Sequence, residues 1–183
     1  MERAPRLLHT PRLSLTVPAA ADADAIFERY ASDPDVTRYV GWPRHKSLAD
    51  TQEFVAFSLA EWERSPAGPY LIRSRSDGRL LGGTGLGFDE PGEPSTGYVL
   101  AKDAWGYGYA TEALRAMVDL CRRLGVPRVY AICHPDHIAS QHVLEKGGFS
   151  RERGWSGSSA FPNLSPGGPM PSFRYDLVLR SER

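Results

Sequence analysis

Trp105-Gly106-Tyr107-Gly108-Tyr109-Ala110-Thr111-Glu112-Ala113 is a glycine-rich turn that runs straight into a helix. From Ala110 the apolar residues fall at Ala110, Ala113, Leu114, Met117, Val118, Cys121 and Leu124, which is helical spacing. Arg115, Asp119, Arg122 and Arg123 occupy the other face. A short strand, Gly97-Tyr98-Val99-Leu100, stands just upstream. The first turn of a helix leaves backbone N–H groups unpaired, and its dipole favours negative charge. Gly106 and Gly108 carry no side chain, so a phosphate can approach those amides closely. The stretch reads as a pyrophosphate cradle, against the simpler alternative of a tight turn without a ligand.

Other phosphate binders fit less well. A P-loop needs Gly-Lys-Ser/Thr at the helix start, and no lysine is present here. A dinucleotide-binding turn wants an acidic residue roughly 20 positions on, at the end of the next strand. The next strand, Arg128–Cys133, runs into His134-Pro135 instead.

The segment from His134 to Phe149 follows that strand and contains His134-Pro135-Asp136-His137-Ile138-Ala139-Ser140 and a closing Gly148-Phe149. Together with the glycine turn it resembles the GNAT acetyltransferases, and most closely their RimJ/RimL ribosomal-protein branch. That branch typically shows Trp-Gly-x-Gly-Tyr-Ala-x-Glu-Ala, a strand, then His-Pro-x-Asn-x-x-Ser ending in Gly-Phe. Leu8–Leu15 is similar to its opening strand, and Ser32–Tyr39 to the segment between its first two helices. The resemblance spans roughly residues 7 to 155, with the motifs in order.

The resemblance implies an α/β fold in α+β layers: one mixed sheet of about seven strands flanked by about four helices. Its middle strands would splay to hold acetyl-coenzyme A as co-substrate, with no metal. Trp105, Gly106, Tyr107, Gly108, Tyr109, Ala110 and Thr111 would hold the pyrophosphate. Tyr98, Val99 and Leu100 would pair with the pantetheine arm, and an N–H of Val99 or Leu100 would point at the thioester carbonyl. His137 stands where the branch has Asn, and an imidazole can still bond a pantetheine amide. Ser140 matches the branch's serine and is the candidate for contacting or protonating the sulfur, unless it is a plain helix cap. Many relatives use a tyrosine for that task where Leu144 stands here.

No acidic residue occupies the usual base position, which is filled by Pro94-Ser95-Thr96-Gly97. His134 has a suitable intrinsic pKa and is the candidate base, against a strand-end histidine bonded to backbone. Glu112 reads as a complement to the helix dipole. Cys121 lies on the apolar stripe, so an acetyl-cysteine intermediate is less attractive than direct attack in a ternary complex.

Composition sets bounds on all of this. A chain of 183 residues suits a single domain over 1–183. With 22 basic and 22 acidic side chains there is no electrostatic case for nucleic acid or an anionic membrane. No apolar run approaches the roughly 20 residues of a membrane span, and Met1–Arg6 lacks a signal-peptide core. Two cysteines in unrelated elements imply no disulfide framework. A cytoplasmic monomer or homodimer is expected.

The remaining elements follow from local signals. Leu8–Val17 reads as the first strand and Ala20–Tyr30 as a short helix. Ser47 reads as the N-cap of a helix to about Arg64, with Phe54, Val55, Leu59 and Trp62 in its apolar stripe. Tyr70–Arg75 and Leu80–Phe88 form a hairpin around Ser76-Asp77-Gly78. Gly82, Gly83, Gly85 and Gly87 mark a strand that its neighbours approach closely. Residues 89–95 form a turn, residues 154–171 a Ser/Gly/Pro-rich loop, and Phe173–Leu179 the closing strand. The amine acceptor, a protein N-terminus or a small amine, should lie against Tyr39, Trp42, His45 and the 154–171 loop. The competing reading is a coenzyme A-binding module without catalysis.

Overall fold

The computed structural model describes residues 2–88 and 93–179. Its main sheet has eight strands: β1 (Leu7–His9), β2 (Leu13–Thr16), β3 (Pro69–Ser74), β4 (Leu80–Gly87), β5 (Ser95–Leu100), β6 (Arg128–Cys133), β7 (Ser150–Arg151) and, closing the chain, β10 (Phe173–Val178). They lie in the order β1-β2-β3-β4-β5-β6-β10-β7, antiparallel except where β5 meets β6. Two further strands, β8 (Ser158–Ser159) and β9 (Met170–Pro171), form a separate hairpin.

One expected strand is in fact two. Thr10-Pro11-Arg12 folds the Leu8–Val17 stretch into the β1–β2 hairpin, its turn held by the Thr10 N–H donating to the Leu13 carbonyl at 2.9 Å. Proline removes a ladder donor, so a continuous strand through Pro11 is disfavoured. The short helix is irregular as well. An α-helical turn, α1 (Ala23–Ile26), widens into a π-helical turn over Phe27–Ala31.

Helix α2 (Leu48–Arg64) starts on a capping box, with the Asp50 N–H reaching the Ser47 hydroxyl and the Ser47 N–H reaching the Asp50 carboxylate at 3.0 Å. Val55 and Trp62 are buried, as the apolar stripe requires, and Phe54 and Leu59 partly so. The Trp62 indole donates to the Pro69 carbonyl at 2.7 Å, which makes it a core residue. Helices α1 and α2 cover one sheet face through Ile26, Tyr30, Val55 and Leu71. The other face carries α3 (Tyr109–Arg123) and α4 (Ile138–Lys146), packed through Leu114, Met117, Cys121 and Leu144.

The glycines of β4 are there for proximity. A Cβ on Gly82 would stand 1.9 Å from the Val99 carbonyl oxygen, and one on Gly85 would stand 2.8 Å from the Pro69 Cα. Only glycine lets β3 and β5 lie that close. The turn expected over residues 89–95 falls largely outside the described residues.

Candidate active site

The sheet is open at its centre. Strands β4 and β5 pair at six register positions, and β6 and β10 at six. Strands β5 and β6 meet at one alone, Ser95 opposite Tyr130. There the Tyr130 N–H donates to the Pro94 carbonyl at 3.1 Å. Beyond that point the two strands part, and the starts of α3 and α4 stand at the open end.

Alternation along β5 decides which of its amides face the gap. The Ala101 N–H donates to Leu81 in β4 at 2.8 Å, and the Val99 carbonyl lies against Gly82. Successive residues of a strand turn their N–H and C=O groups to opposite sides. Val99 is therefore committed to β4, while Tyr98 and Leu100 turn their N–H groups toward β6. Val99 as a donor into the gap is accordingly corrected; its side chain packs with α1 and α2. The Leu100 carbonyl is already engaged by the Trp105 indole at 2.9 Å.

The glycine turn is shaped by backbone conformation. Gly106 has φ +83° and Gly108 φ +79°, a region that side-chain-bearing residues rarely adopt. A Cβ on Gly106 would meet nothing within 4 Å, whereas one on Gly108 would stand 3.5 Å from the Arg12 guanidinium. Among the described residues, no backbone N–H from Gly106 through Thr111 has an acceptor within the protein; the ladder resumes with Glu112 donating to Gly108 at 3.1 Å. Trp105, Tyr107 and Ile138 are large apolar side chains left exposed, and all three stand at the starts of α3 and α4.

Sequence reasoning missed what holds this turn. The Arg12 guanidinium donates to the Tyr107 carbonyl at 2.8 Å and stacks 4.7 Å from the centre of the Tyr109 ring. Glu112 anchors that arginine by accepting from its Nε at 2.6 Å and its amide at 2.8 Å, and it also accepts from the Thr10 hydroxyl at 2.5 Å. Burial works to raise the Glu112 carboxyl, but these donors outweigh it and hold it below the usual range. Glu112 is thus more than a complement to the dipole. The signal available in the sequence was Thr10-Pro11-Arg12 itself, a turn that puts two donors on one side.

On α4, Ser140 meets the strand through Tyr98. The phenol oxygen lies 2.9 Å from the Ser140 hydroxyl oxygen and 3.1 Å from the Ser140 carbonyl oxygen, within donating distance of either. Burial pushes the Tyr98 phenol up, so it stays protonated. The Cys133 thiol borders the same hydroxyl and is pushed up by burial as well. Cys121 is fully buried and its thiol is pushed up to about 12.

His137 forms the N-cap of α4 without a side-chain cap, and its ring stacks on Tyr39 at 4.6 Å and 23°. Burial, with the neighbouring His134, lowers its pKa and keeps it neutral. His134 is buried, with Tyr39 on one side and the Phe161 ring at right angles to it, centroids 4.9 Å apart. Its Nδ1 accepts the Asp136 N–H at 3.1 Å. That bond places the proton of the neutral ring on Nε2 and occupies the basic lone pair. A general base at His134 would have to give up this backbone bond.

The 154–171 loop closes over this region. Ser158–Ser159 pairs with Met170–Pro171, Phe161 is buried, and Asn163 donates to the carbonyls of Thr37 at 2.7 Å and Trp42 at 3.0 Å. Trp42 stands 5.2 Å from His45, whose Nδ1 bonds the Thr51 hydroxyl at 2.8 Å. On the face opposite α3, where the splay begins, a cavity of about 450 Å³ is lined by Glu93, Tyr130, Ile132, Trp155, Ser158, Ser159 and Arg174. Among the described residues no group of three or more His, Cys, Asp or Glu side chains is disposed to hold a metal ion. No helix there is long and apolar enough to cross a membrane.

A mixed sheet split between its central parallel strands, with a bare glycine turn at the split, is the fold of the acetyltransferase class. The family model described as an acetyltransferase (GNAT) domain matches residues 12–150, and the chain belongs to that family. It is therefore an acetyl-coenzyme A-dependent acetyltransferase. It is similar to the uncharacterized N-acetyltransferase p20 of Bacillus licheniformis, 26% identical over 148 residues, 79% of this chain and 83% of that one. In fold it is similar to the RimL ribosomal L7/L12 alpha-N-protein acetyltransferase in complex with coenzyme A, at TM-score 0.80 and 20% identity over 96% and 99% of the two chains. The microcin C7 self-immunity acetyltransferase MccE, in complex with acetyl-coenzyme A and AMP, gives TM-score 0.80 and 18% identity over 93% and 94%.

Proposed function

We propose that this chain moves an acetyl group from acetyl-coenzyme A to a primary amine, either a protein N-terminus or a small molecule, by direct attack in a ternary complex. The observation that carries the proposal is the row of unpartnered amides from Gly106 to Thr111, at the mouth of a gap between two parallel strands. Such a row is a ready receptor for a pyrophosphate, and the helix dipole adds to it. Exposed Trp105, Tyr107 and Ile138 give the rest of the cofactor apolar surface to lie against. The similarity in fold to RimL with coenzyme A supports this use of the gap.

In the reaction the Leu100 N–H, turned into the gap, polarises the thioester carbonyl. Ser140 faces the departing sulfur. The amine reaches the carbonyl from the face of the Glu93–Tyr130–Trp155 cavity, opposite α3. Its nitrogen bonds to the acetyl carbon, the C–S bond breaks, and the electron pair leaves on sulfur. The proton released by the amine finally neutralises that thiolate. With His134 engaged by the Asp136 amide, a water serves as the immediate proton acceptor.

The same histidine geometry favours a second reading, coenzyme A binding without turnover, because no free base stands out among the described residues. Calorimetry against acetyl-coenzyme A, coenzyme A and NAD, followed by a turnover screen over amines and N-terminal peptides, separates the two. Binding of coenzyme A without release of thiol by any acceptor would leave only the second. Preference for NAD would remove both.

A further inference from the structure

We infer that Tyr98 is a positioning residue that acts through Ser140: its phenol donates to the serine hydroxyl and so turns that hydroxyl's own proton toward the sulfur of coenzyme A. The inference rests on the reading above that Ser140 faces the leaving thiolate.

Tyr98 leaves β5 on the side of α3 and α4, packs against the core there, and reaches from the strand to the first turn of α4. It does so where β5 and β6 have already parted. Its oxygen has two partners on one residue, the Ser140 hydroxyl at 2.9 Å and the Ser140 carbonyl at 3.1 Å. Two proton arrangements fit those distances. In one, the phenol donates to the carbonyl and the serine proton is spent on the phenol oxygen. In the other, the phenol donates to the serine oxygen and the serine proton is free. A phenol is the stronger acid of the two hydroxyls and hence the better donor. An anion placed beyond Ser140 selects the second arrangement, because both O–H dipoles then point toward the charge and reinforce each other.

Burial holds the Tyr98 proton in place, so the pair stabilises the thiolate without giving up a proton of its own. The proton balance of the transfer is unchanged. The amine proton still ends on the sulfur, and Tyr98 and Ser140 finish as they began. The structural alternative is that the same bond merely fastens α4 to the sheet.

Ionisation of the coenzyme A thiol distinguishes these roles and needs no acceptor. The protein–coenzyme A complex is titrated and the thiolate followed by ultraviolet absorbance. The desulfo-coenzyme A complex is subtracted to remove the protein's own groups, among them Cys133, Tyr98, Tyr175, His134 and His137. The wild-type complex should hold about tenfold more thiolate at a given pH than free coenzyme A, a midpoint about one unit lower. Tyr98→Phe should lose most of that tenfold while binding desulfo-coenzyme A within about twofold of wild type. Ser140→Ala should lose it too, and the double variant no more than either, since the two act as one unit. Site-specific 3-fluorotyrosine at 98, which keeps the ring and strengthens the donor, should raise the thiolate fraction further and covers a Phe variant that fails to fold.

Loss of the effect in Ser140→Ala with full retention in Tyr98→Phe would overturn the inference and leave Tyr98 a fastening. No change in Ser140→Ala would overturn the Ser140 reading, and the inference with it. A wild-type protein that binds no coenzyme A would overturn the cofactor reading beneath both.

Discussion

The turn at residues 105–111 and the loop at residues 154–171 are both rich in glycine, yet the chain treats them in opposite ways. The first is left open. Its amides are bare, its leading side chains Trp105 and Tyr107 are exposed, and its conformation is held from behind by Arg12 and Glu112. The second is shut by a small hairpin, by Phe161 buried against His134, and by Asn163, which also accepts the Arg44 N–H at 2.8 Å. Glycine content alone does not separate an open segment from a closed one. What separates them is whether the segment carries a large apolar side chain or an amide that finds partners far away in sequence.

The sharpest way to break this contrast is to deny the first region its backbone. Gly108→Val must either hold a β-branched residue at φ +79° or move the turn. Affinity for acetyl-coenzyme A should fall on the order of 100-fold, with circular dichroism unchanged. Calorimetry giving wild-type affinity would remove the turn from the cofactor site.

The second region should answer differently. Phe161→Ala should cost about 3–5 kcal/mol in chemical denaturation, the usual range for a buried phenylalanine. It should also speed hydrogen exchange across residues 154–171 and leave acetyl-coenzyme A affinity within about twofold. If exchange there stays slow, the hairpin and Asn163 hold the loop without the phenylalanine. Asn163→Ala comes next in size. It removes two donors and one acceptor that serve the backbone of Thr37, Trp42 and Arg44, and should cost about 1–3 kcal/mol. Relative rates across an amine panel should change with it; identical ratios would show that the 37–44 segment and the loop do not shape the acceptor side.

The same contrast explains what the sequence disclosed. Helix α3, its glycine turn and β6 were legible because local signals set them, apolar residues at helical spacing, glycines at a helix start and a short β-branched and aromatic run, whereas α4 came with the family resemblance. The split between β5 and β6 came from the family resemblance, since nothing in the spacing of Tyr98–Leu100 or Arg128–Cys133 says that they pair only once. The division of Leu8–Val17 into two strands follows from Pro11, which interrupts the ladder. Contacts across long sequence separation were closed to local reading. Arg12 reaches Tyr107, Tyr98 reaches Ser140, and Asn163 reaches Thr37 across spans that no periodicity records. His134 shows the limit from the other side. Its residue type suits a base, but the Asp136 amide two positions on takes its lone pair, a matter of dihedral angles rather than composition.

The smallest expected effect tests whether the open turn is held by charge. Glu112 bonds Thr10 and Arg12, and Glu112→Gln can keep the oxygen that faces Thr10 and the Arg12 amide while removing the charge and the acceptor for the Arg12 Nε. Arg12 is about half exposed, so solvent screens the pair, and the loss near neutral pH should be only about 1 kcal/mol. The pH dependence carries the sign. The folded carboxyl is held below its ordinary value of 4.5, so folding favours the ionised form. That contribution is fully present above the ordinary value and is lost as pH falls through the lower, folded one. Wild-type melting temperature should therefore drop more steeply than that of Glu112→Gln as pH is taken below about 4.5, and the two curves should converge in acid. Because Arg12 also holds the Tyr107 carbonyl, the variant should bind acetyl-coenzyme A a few-fold more weakly at neutral pH. Parallel melting curves throughout the acid range would mean that the hydrogen bonds, not the charge, fasten β2 to the start of α3.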